Sequence, residues 1–329
     1  MNHRAISWIK PLVLAAAFSL PMLPQVARAA NLEPSGLNLG ATSFFDGFGA
    51  TQPGLTYIAN LRYSRVNSFV DNSGNDVPNL KNPEVDVLTL VNQLAYTTGQ
   101  SFFNNAAHLG FTGLIPFLHI NTSESPGSQP ALTSDDGFGD VTVGAYLQFN
   151  PVIRGHRPIY SQRFELDVIA PTGRYSSSTL INPSSNFWSL NPYWAATWLP
   201  TPRTEVSWRL HYLYNFSNHD TGLPATSSDQ AGQAAWVNFT TSYAVRPNLS
   251  LGLNGFYFQQ LTADSYTSTL PNIAQLSGDT GKARFLDFGP GIFWRAGSAG
   301  FIEVNVYHEI YARNHSGGTT LNIHWIHPI

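Results

Sequence analysis

The sequence YSQRFELDVIA, residues 160–170, decides the fold class, because apolar and charged side chains alternate along it. Three apolar residues share one parity and three charged residues the other, namely Phe164, Leu166, Val168 and Arg163, Glu165, Asp167. Successive side chains of a β-strand point to opposite faces, so a strand here has one apolar and one charged face. A register shift of one residue would put the charges into lipid, at a cost of about 2–4 kcal/mol for an arginine near the midplane. The stretch therefore predicts a transmembrane β-strand with a fixed register.

The same alternation recurs along most of the chain. It is clear at 140–149, 205–216 and 301–313, where apolar residues again alternate with polar or charged ones. Weaker alternation completes a set of candidate strands near 55–66, 86–97, 107–120, 138–149, 160–171, 187–198, 204–216, 233–243, 249–261, 283–294, 301–313 and 319–328. Each has about the length that a tilted transmembrane strand needs, roughly 9–11 residues plus overhang. The pattern predicts an all-β fold, a transmembrane antiparallel up-and-down barrel of about 12 strands.

The connections between these strands support a barrel independently, because their lengths alternate. Long polar segments lie around 67–85, 121–137, 172–186, 218–232 and 262–282. Tight turns lie at 200–203, 245–248 and 295–298. Outer-membrane barrels have short periplasmic turns and long outer loops. With an even number of strands, we expect both ends of the barrel sequence on the periplasmic side.

The first residues indicate export. Arg4 and Lys10 precede an apolar stretch at 12–20, and small residues surround Ala29, which is the layout of a cleaved signal peptide. An uncleaved anchor is the alternative, although the apolar run is short for a membrane span. We therefore divide the chain into a signal peptide at 1–29, an N-terminal segment at 30–54 that could fold into the lumen, and an outer-membrane barrel at 55–329. No later stretch approaches the roughly 18 apolar residues of a transmembrane helix.

Composition narrows the class of exported protein. Charged residues make up 11% of the chain and aromatic residues 13%, whereas charged residues are about 25% of an ordinary soluble domain. There is no cysteine, which excludes disulfides, thiolate metal sites and a cysteine nucleophile. Without Arg4, Lys10 and Arg28, the 20 acidic residues outnumber 14 basic ones. This balance disfavours nucleic acid as a partner, because no basic stripe is available for phosphates.

Inward parity selects the candidate lumen residues. Charged side chains on that parity can define the bore and its field, and aromatic ones can stack on a solute; the alternative is that all of them fill and stiffen the barrel interior. The candidates are Arg62, Tyr146, Arg163, Glu165, Asp167, Arg209, His211, Trp236, Asp287, Glu303, Tyr307, Glu309 and Arg313. No catalytic residue, metal ligand or cofactor site is predicted.

Several short motifs occur in an order that is similar to that of a known family. They are DGFGD at 136–140, PTGRY at 171–175, NFWS at 186–189, GFYFQQ at 255–260 and GPG at 289–291. Together they resemble the family associated with the meta-pathway of phenol degradation, a group of outer-membrane transport proteins, over about residues 50–325. The resemblance implies a barrel that serves the uptake of hydrophobic or aromatic compounds linked to aromatic catabolism. No binding residues are carried over from it.

The sequence thus predicts a Gram-negative outer-membrane channel for passive or facilitated uptake of small hydrophobic or aromatic compounds. Its expected partners are outer-membrane lipid, the solute and the barrel-assembly machinery. Two alternatives stay open: an outer-membrane lipid hydrolase or acyltransferase, and a soluble periplasmic β-protein that binds a lipid or glycan. The enzyme is disfavoured because the chain has no GxSxG nucleophile elbow.

Overall fold

Twelve long antiparallel strands close into a barrel in the computed structural model, which describes residues 37–41, 43–270 and 281–329. The strands are β1 (Gly54–Val70), β2 (Glu84–Phe102), β3 (Ala107–Ser123), β4 (Val141–Phe149), β5 (Arg157–Ala170), β6 (Ser189–Trp198), β7 (Thr204–Asn215), β8 (Ala234–Arg246), β9 (Leu249–Gln260), β10 (Arg284–Arg295), β11 (Phe301–Arg313) and β12 (His315–Pro328). Each pairs with its sequence neighbours, and β12 pairs with β1 from Thr56↔Pro328 to Val70↔His315. The predicted twelve-stranded up-and-down barrel is confirmed.

Four short strands decorate the barrel: Gly137–Phe138, Val152–Arg154, Thr226–Gln230 and Ser265–Ser268. The last two pair with each other outside the main sheet. The helical content of the described residues is a single 3₁₀ turn, Gly297–Ala299. Within the same part of the chain, no helix has the length and apolar character to cross a membrane.

The predicted orientation of β5 is confirmed. Phe164 and Leu166 are 44% and 49% exposed on the outer surface, while Glu165 between them is 5% exposed. Strands around the barrel also have an apolar outer face. Their exposed residues include Leu90, Ile115, Leu210, Leu251, Ile292 and Ile323. Soluble monomers rarely expose contiguous apolar areas of more than a few hundred Å². This lipid-facing band contradicts the alternative of a soluble periplasmic protein.

Connections alternate in length as predicted. The segments 71–83, 124–140, 171–188 and 216–233, together with 261–270 and 281–283, lie at one rim, called here the long-loop end. The opposite rim, the short-turn end, holds turns such as 199–203 and 247–248 together with the start of β1 and the end of β12. One connection at the long-loop end is a single residue, Asn314, between β11 and β12.

Several strand boundaries differ from the predicted ones; β2, for example, ends at Phe102 rather than at 97. The strand predicted at 138–149 is interrupted, because Asp140 turns its carboxylate to neighbouring loops and β4 begins at Val141. The last strand begins at His315 rather than 319, because its extra residues pair with β1. The predicted signal peptide lies outside the described residues, so the division at 29 and 54 stays a prediction.

Candidate functional site

The segment before β1 is held by side chains that line the inside of the barrel. We call residues 37–41 and 43–50 the inner segment. Near its start, the carbonyl of Asn38 accepts hydrogen bonds from Trp236 Nε1 at 3.0 Å and Asn238 Nδ2 at 2.9 Å. The carbonyl of Gly40 accepts from Tyr307 Oη at 2.9 Å and Asn322 Nδ2 at 3.0 Å. Buried backbone groups need such partners, so the inward amides and ring donors of the wall satisfy a chain that has no strand partner of its own.

Gly47 sits deeper in the same segment, against β5 and β6. Its N–H donates to Thr197 Oγ1 at 2.9 Å, and its carbonyl accepts from Ser161 Oγ at 2.7 Å and Gln148 Nε2 at 3.0 Å. A Cβ atom at this position would come within 2.3 Å of the Ser161 carbonyl oxygen and 2.4 Å of the Thr197 nitrogen. Only glycine therefore lets the inner segment approach the wall here.

A charged cluster fixes the middle of the inner segment. Arg209 Nη2 lies 2.6 Å from Asp46 Oδ1, and the two side chains are 11% and 3% exposed. Arg163 Nε lies 2.8 Å from Glu165 Oε2, and the hydroxyl of Tyr193 donates to the same carboxylate. Buried ion pairs are costly to break, because removing one partner leaves an uncompensated charge. The Arg209–Asp46 pair therefore ties β7 to the inner segment, whereas the Arg163–Glu165 pair lies within β5.

Aromatic rings pack beside this cluster. The Arg163 guanidinium lies 3.5 Å from the centroid of the Tyr146 ring, and the Tyr146 hydroxyl is 2.9 Å from Thr97 Oγ1. His211 stacks on Trp236 with centroids 4.2 Å apart and an interplanar angle of 7°. The rings of Tyr146, His211 and Trp236 are all buried inside the barrel beside the charges.

Two further carboxylates contact the cluster or the segment. Asp167 lies beside Glu165 above Gly144, where a Cβ atom would be 2.1 Å from Asp167 Oδ1 and 3.0 Å from Glu165 Oε1. Glu303 is 1% exposed, with Oε2 3.5 Å from Ser43 Oγ and 3.8 Å from His324 Nδ1. Asn305 Nδ2 also donates to Ser43, at 3.0 Å.

A cavity of about 320 Å³ lies between the inner segment and the long-loop end. We call it the long-loop cavity. Its floor includes Leu37 and Leu39, and its charged lining includes Arg62, Asp287 and Glu309. Arg65 also borders it, but the Arg65 guanidinium pairs with Asp86 at 2.9 Å on the outer face.

A second cavity of about 480 Å³ lies at the opposite end and is called the short-turn cavity. Phe45 and Phe293 form its inner boundary, with ring centroids 4.9 Å apart. Its charged lining comprises one carboxylate and four guanidiniums, namely Glu205 and Arg157, Arg203, Arg246 and Arg295. The inner segment contributes residues to both cavities and therefore separates them.

The structure brings most predicted lumen residues together, in two groups. Tyr146, Arg163, Glu165, Asp167, Arg209, His211, Trp236, Glu303 and Tyr307 surround the inner segment, whereas Arg62, Asp287 and Glu309 line the long-loop cavity. Arg313 does not join either group. Its guanidinium contacts the Tyr311 hydroxyl at 2.9 Å and the carbonyl of loop residue Asn72 at 3.2 Å.

Sequence reasoning missed residues that hold the inner segment. Asp46 is absent from the predicted lumen residues because its surroundings do not alternate, although it lies in the segment 30–54 that the sequence allows to fold into the lumen. Glu205 is 2% exposed and accepts from the Phe45 N–H and from Ser242 Oγ, the latter at 2.6 Å. Its inward parity on β7 was visible in the sequence and could have identified it.

Hydrogen bonds between motif residues join two long loops above the barrel. We call this contact between residues 136–140 and 171–185 the clasp. The Asp140 carboxylate accepts from the Gly173 N–H at 3.1 Å, Ser184 Oγ at 2.6 Å and the Ser185 N–H at 3.0 Å. Burial nevertheless raises the pKa of this carboxyl, since removal from water disfavours its charged form. Arg174 N–H donates to the Phe138 carbonyl at 2.8 Å. The motifs at 136–140 and 171–175 thus build one folded unit.

Comparisons with known proteins agree with this architecture. The family described as "Putative MetA-pathway of phenol degradation" matches residues 66–325. An outer membrane channel from Pseudomonas putida F1 is similar in structure, with a TM-score of 0.71 at 14% identity over 87% of this chain and 98% of that chain. Among curated proteins, no sequence relative matches this chain.

Weaker structural likenesses are also to barrels. The β domain of the Bordetella autotransporter BrkA has a TM-score of 0.47 at 11% identity, covering 84% of this chain and 99% of its own. The KdgM porin has a TM-score of 0.37 at 7% identity, covering 82% and 98%. At these values the likenesses carry no argument, and the fold rests on the strand pairing and on the Pseudomonas channel.

Proposed function

The chain belongs to the family of the MetA pathway of phenol degradation, and from this premise we propose that it is an outer-membrane channel for small hydrophobic or aromatic compounds. Uptake takes place by passive or facilitated diffusion. The observation that carries the proposal is the long-loop cavity, a partly apolar space enclosed by a wall whose outer face is apolar. Pockets that hold small ligands commonly have volumes of about 300–1,000 Å³ and mostly apolar walls with a few polar groups.

The path through the barrel has three parts. A solute enters the long-loop cavity, passes the inner segment, and leaves through the short-turn cavity. The inner segment is attached by hydrogen bonds and by the Arg209–Asp46 pair rather than by strand pairing. We infer that it acts as a constriction that yields locally while the barrel wall stays intact.

Location and assembly follow from the same proposal. The long-loop end faces outward and the short-turn end faces the periplasm, as in other outer-membrane barrels. The signal peptide at 1–29 directs export, and the barrel-assembly machinery inserts the chain next to outer-membrane lipid. No catalytic role is proposed; covalent labelling with a serine-reactive probe would contradict this part.

Growth and uptake on a panel of aromatic and aliphatic carbon sources, with and without the gene, test the channel. We expect the gene to speed uptake of a subset of apolar compounds. A matched pair of variants sharpens the test, because adjacent residues of β2 face opposite ways. Val87 lines the long-loop cavity, and Leu88 is 41% exposed outside.

Val87→Trp should slow uptake by filling the cavity, whereas Leu88→Trp adds the same side chain on the lipid face and should leave uptake unchanged. Both variants must reach the outer membrane in equal amounts. Equal uptake of every compound with and without the gene would overturn the channel. Equal uptake by the two folded variants would remove the cavity from the path.

A further inference from the structure

The long-loop cavity has two chemically different sides. One side is an apolar wall on β1, β2 and β3, where Val66, Phe69, Val87, Leu118 and Ile120 line the space and pack with one another. Such a wall suits a ring or a short alkyl group, since burial of apolar surface is favourable by roughly 25 cal/mol per Å². Polar side chains of the same strands, among them Thr89 of β2, border the cavity next to this apolar group.

The opposite side is charged. Asp287 of β10 and Glu309 of β11 are direct cross-strand partners, and both line the cavity. Like charges directly opposite each other in a sheet are destabilising. A positively charged or proton-donating group between the apolar wall and this pair would offset that repulsion.

Arg62 of β1 also lines the cavity, and its guanidinium is already engaged. Arg62 donates from Nη1 to the Leu39 carbonyl at 3.2 Å and from Nε to Ser64 Oγ at 3.3 Å. It thereby joins the inner segment to β1. The imidazole of His315 lines the cavity as well, so the formal charge of Asp287, Glu309, Arg62 and His315 together is −1 when that imidazole is neutral.

One carboxylate oxygen of Glu309 has no hydrogen-bond donor among the described residues. Its Oε2 atom is shielded from solvent and receives no hydrogen bond from any group in the described part of the chain. The carboxylate lies over Gly317 of β12, where a Cβ atom would come within 1.9 Å of Oε2. Pairing of β11 with β12 extends only to His308↔Thr319, so Glu309 and Gly317 are not strand partners of each other. The glycine leaves room for the carboxylate, and the missing donor leaves an acceptor for a ligand.

We propose that the long-loop cavity selects small molecules with an apolar body and a hydrogen-bond-donating head group, binds a protonated primary amine most tightly, and discriminates against carboxylates. Asp287 and Glu309 are the specificity-determining residues. The apolar wall holds the body of the ligand, and the carboxylates receive the head group through charge-assisted hydrogen bonds, which are the stronger kind. This inference rests on the proposed function, because it names the class of solute for the same cavity.

Three probes with one ring and different head groups test it: benzylamine, benzyl alcohol and benzoate. Their binding to the purified full chain is measured by calorimetry in micelles of an uncharged detergent, with protein-free micelles as the blank. We expect the order benzylamine, then benzyl alcohol, then benzoate. In Glu309→Gln, the ratio of benzylamine to benzoate affinity should fall at least about tenfold, which corresponds to about 1.4 kcal/mol.

Glu84→Gln is the matched control, since Glu84 is exposed at the start of β2 and should leave the ratio unchanged. Asp287→Asn is a second cavity variant, should Glu309→Gln fail to fold. Wild-type protein that binds benzoate as tightly as benzylamine would overturn the inference, as would an unchanged ratio in a folded cavity variant.

The failure of this inference is distinguishable from failure of the channel. Uptake of benzyl alcohol in cells with and without the gene reports on the channel alone. A gene-dependent uptake with no head-group preference in binding would keep the channel and remove the selectivity. Selective binding without gene-dependent uptake would keep the selectivity of the cavity and remove the channel.

Discussion

Asp46 and Arg209 are 163 positions apart in the chain, and their side chains form a 2.6 Å ion pair inside the barrel. The pair joins a segment outside the sheet to the middle of β7. It connects two parts of the molecule that no strand pairing connects.

Asp46→Asn should increase ion conductance in planar-bilayer recordings. The substitution leaves the Arg209 charge buried without its partner, and loss of one member of a buried pair typically costs about 3–5 kcal/mol. The substitution therefore destabilises the attachment of the inner segment to the barrel wall. Asp86→Asn is the control, because its pair with Arg65 lies on the exposed face. Identical conductance of Asp46→Asn and wild type would show that the pair does not hold the obstruction.

Leu166→Arg should prevent formation of a folded barrel. Leu166 is 49% exposed on the outer face of β5, and an arginine facing lipid near the midplane costs about 2–4 kcal/mol. The measurement is the mobility difference between boiled and unboiled samples on denaturing gels, which reports a folded barrel. Ser227→Arg, at an exposed position of the short strand Thr226–Gln230 outside the main sheet, should keep that difference. A normal barrel with Leu166→Arg would mean that this face does not contact lipid.

Gly173→Ala should open the clasp between the two long loops. A Cβ atom there would lie 2.6 Å from the Gly139 carbonyl carbon and 2.7 Å from the Phe138 oxygen, so the loops must move apart. Limited proteolysis should become faster within 124–140 and 171–188, with the barrel itself intact. Gly113→Ala, where a Cβ atom meets nothing within 4 Å, should not change the cleavage rate. Equal protection of both variants would refute the close contact.

The surroundings of Asp136 predict a pH-dependent contact at the long-loop end of β3. Its carboxylate accepts from the Ile120 N–H at 2.7 Å and lies 2.6 Å from His119 Nδ1. The hydrogen bond from the Ile120 backbone, followed by that from His119, holds the pKa of Asp136 below its ordinary value. A lowered pKa means that the contact stabilises the fold above the unfolded-state pKa and is lost only as the pH falls through the lowered value.

Hydrogen exchange at the Ile120 amide, corrected for its intrinsic pH dependence, measures this contact. Protection should be constant between pH 5 and 7 and should decrease only below about pH 4, near the ordinary range of an aspartate. Asp136→Asn should remove that step. A step that persists in Asp136→Asn would show that Asp136 is not the titrating group.

The barrel itself could be predicted because its pattern repeats. On β5 the alternation of Phe164, Glu165 and Leu166 is sufficient to assign inside and outside, since each side chain must meet either lipid or lumen. Loop lengths then fixed the topology. The same reasoning gave β6 and β10 to within two residues of their observed ends.

The partners inside the lumen could not be predicted. Parity puts Arg209 on the inner face, but it does not say which carboxylate Arg209 meets, and that carboxylate lies in a segment without alternation. Parity also fails where pairing is irregular. The pairing of β10 with β11 shifts its register between Leu286 and Asp287. The alternation of faces along β11 therefore changes beyond Glu309, and counting by twos from Glu309 wrongly places Arg313 in the lumen.

The four arginines of the short-turn cavity and the two carboxylates of the long-loop cavity give the bore opposite polarity at its two mouths. Once the inner segment yields, such a conduit behaves as a rectifier. Cations are concentrated at one entrance and anions at the other, so the current at a given voltage depends on its sign. High salt should abolish the asymmetry, because at 1 M the screening length falls to about 3 Å.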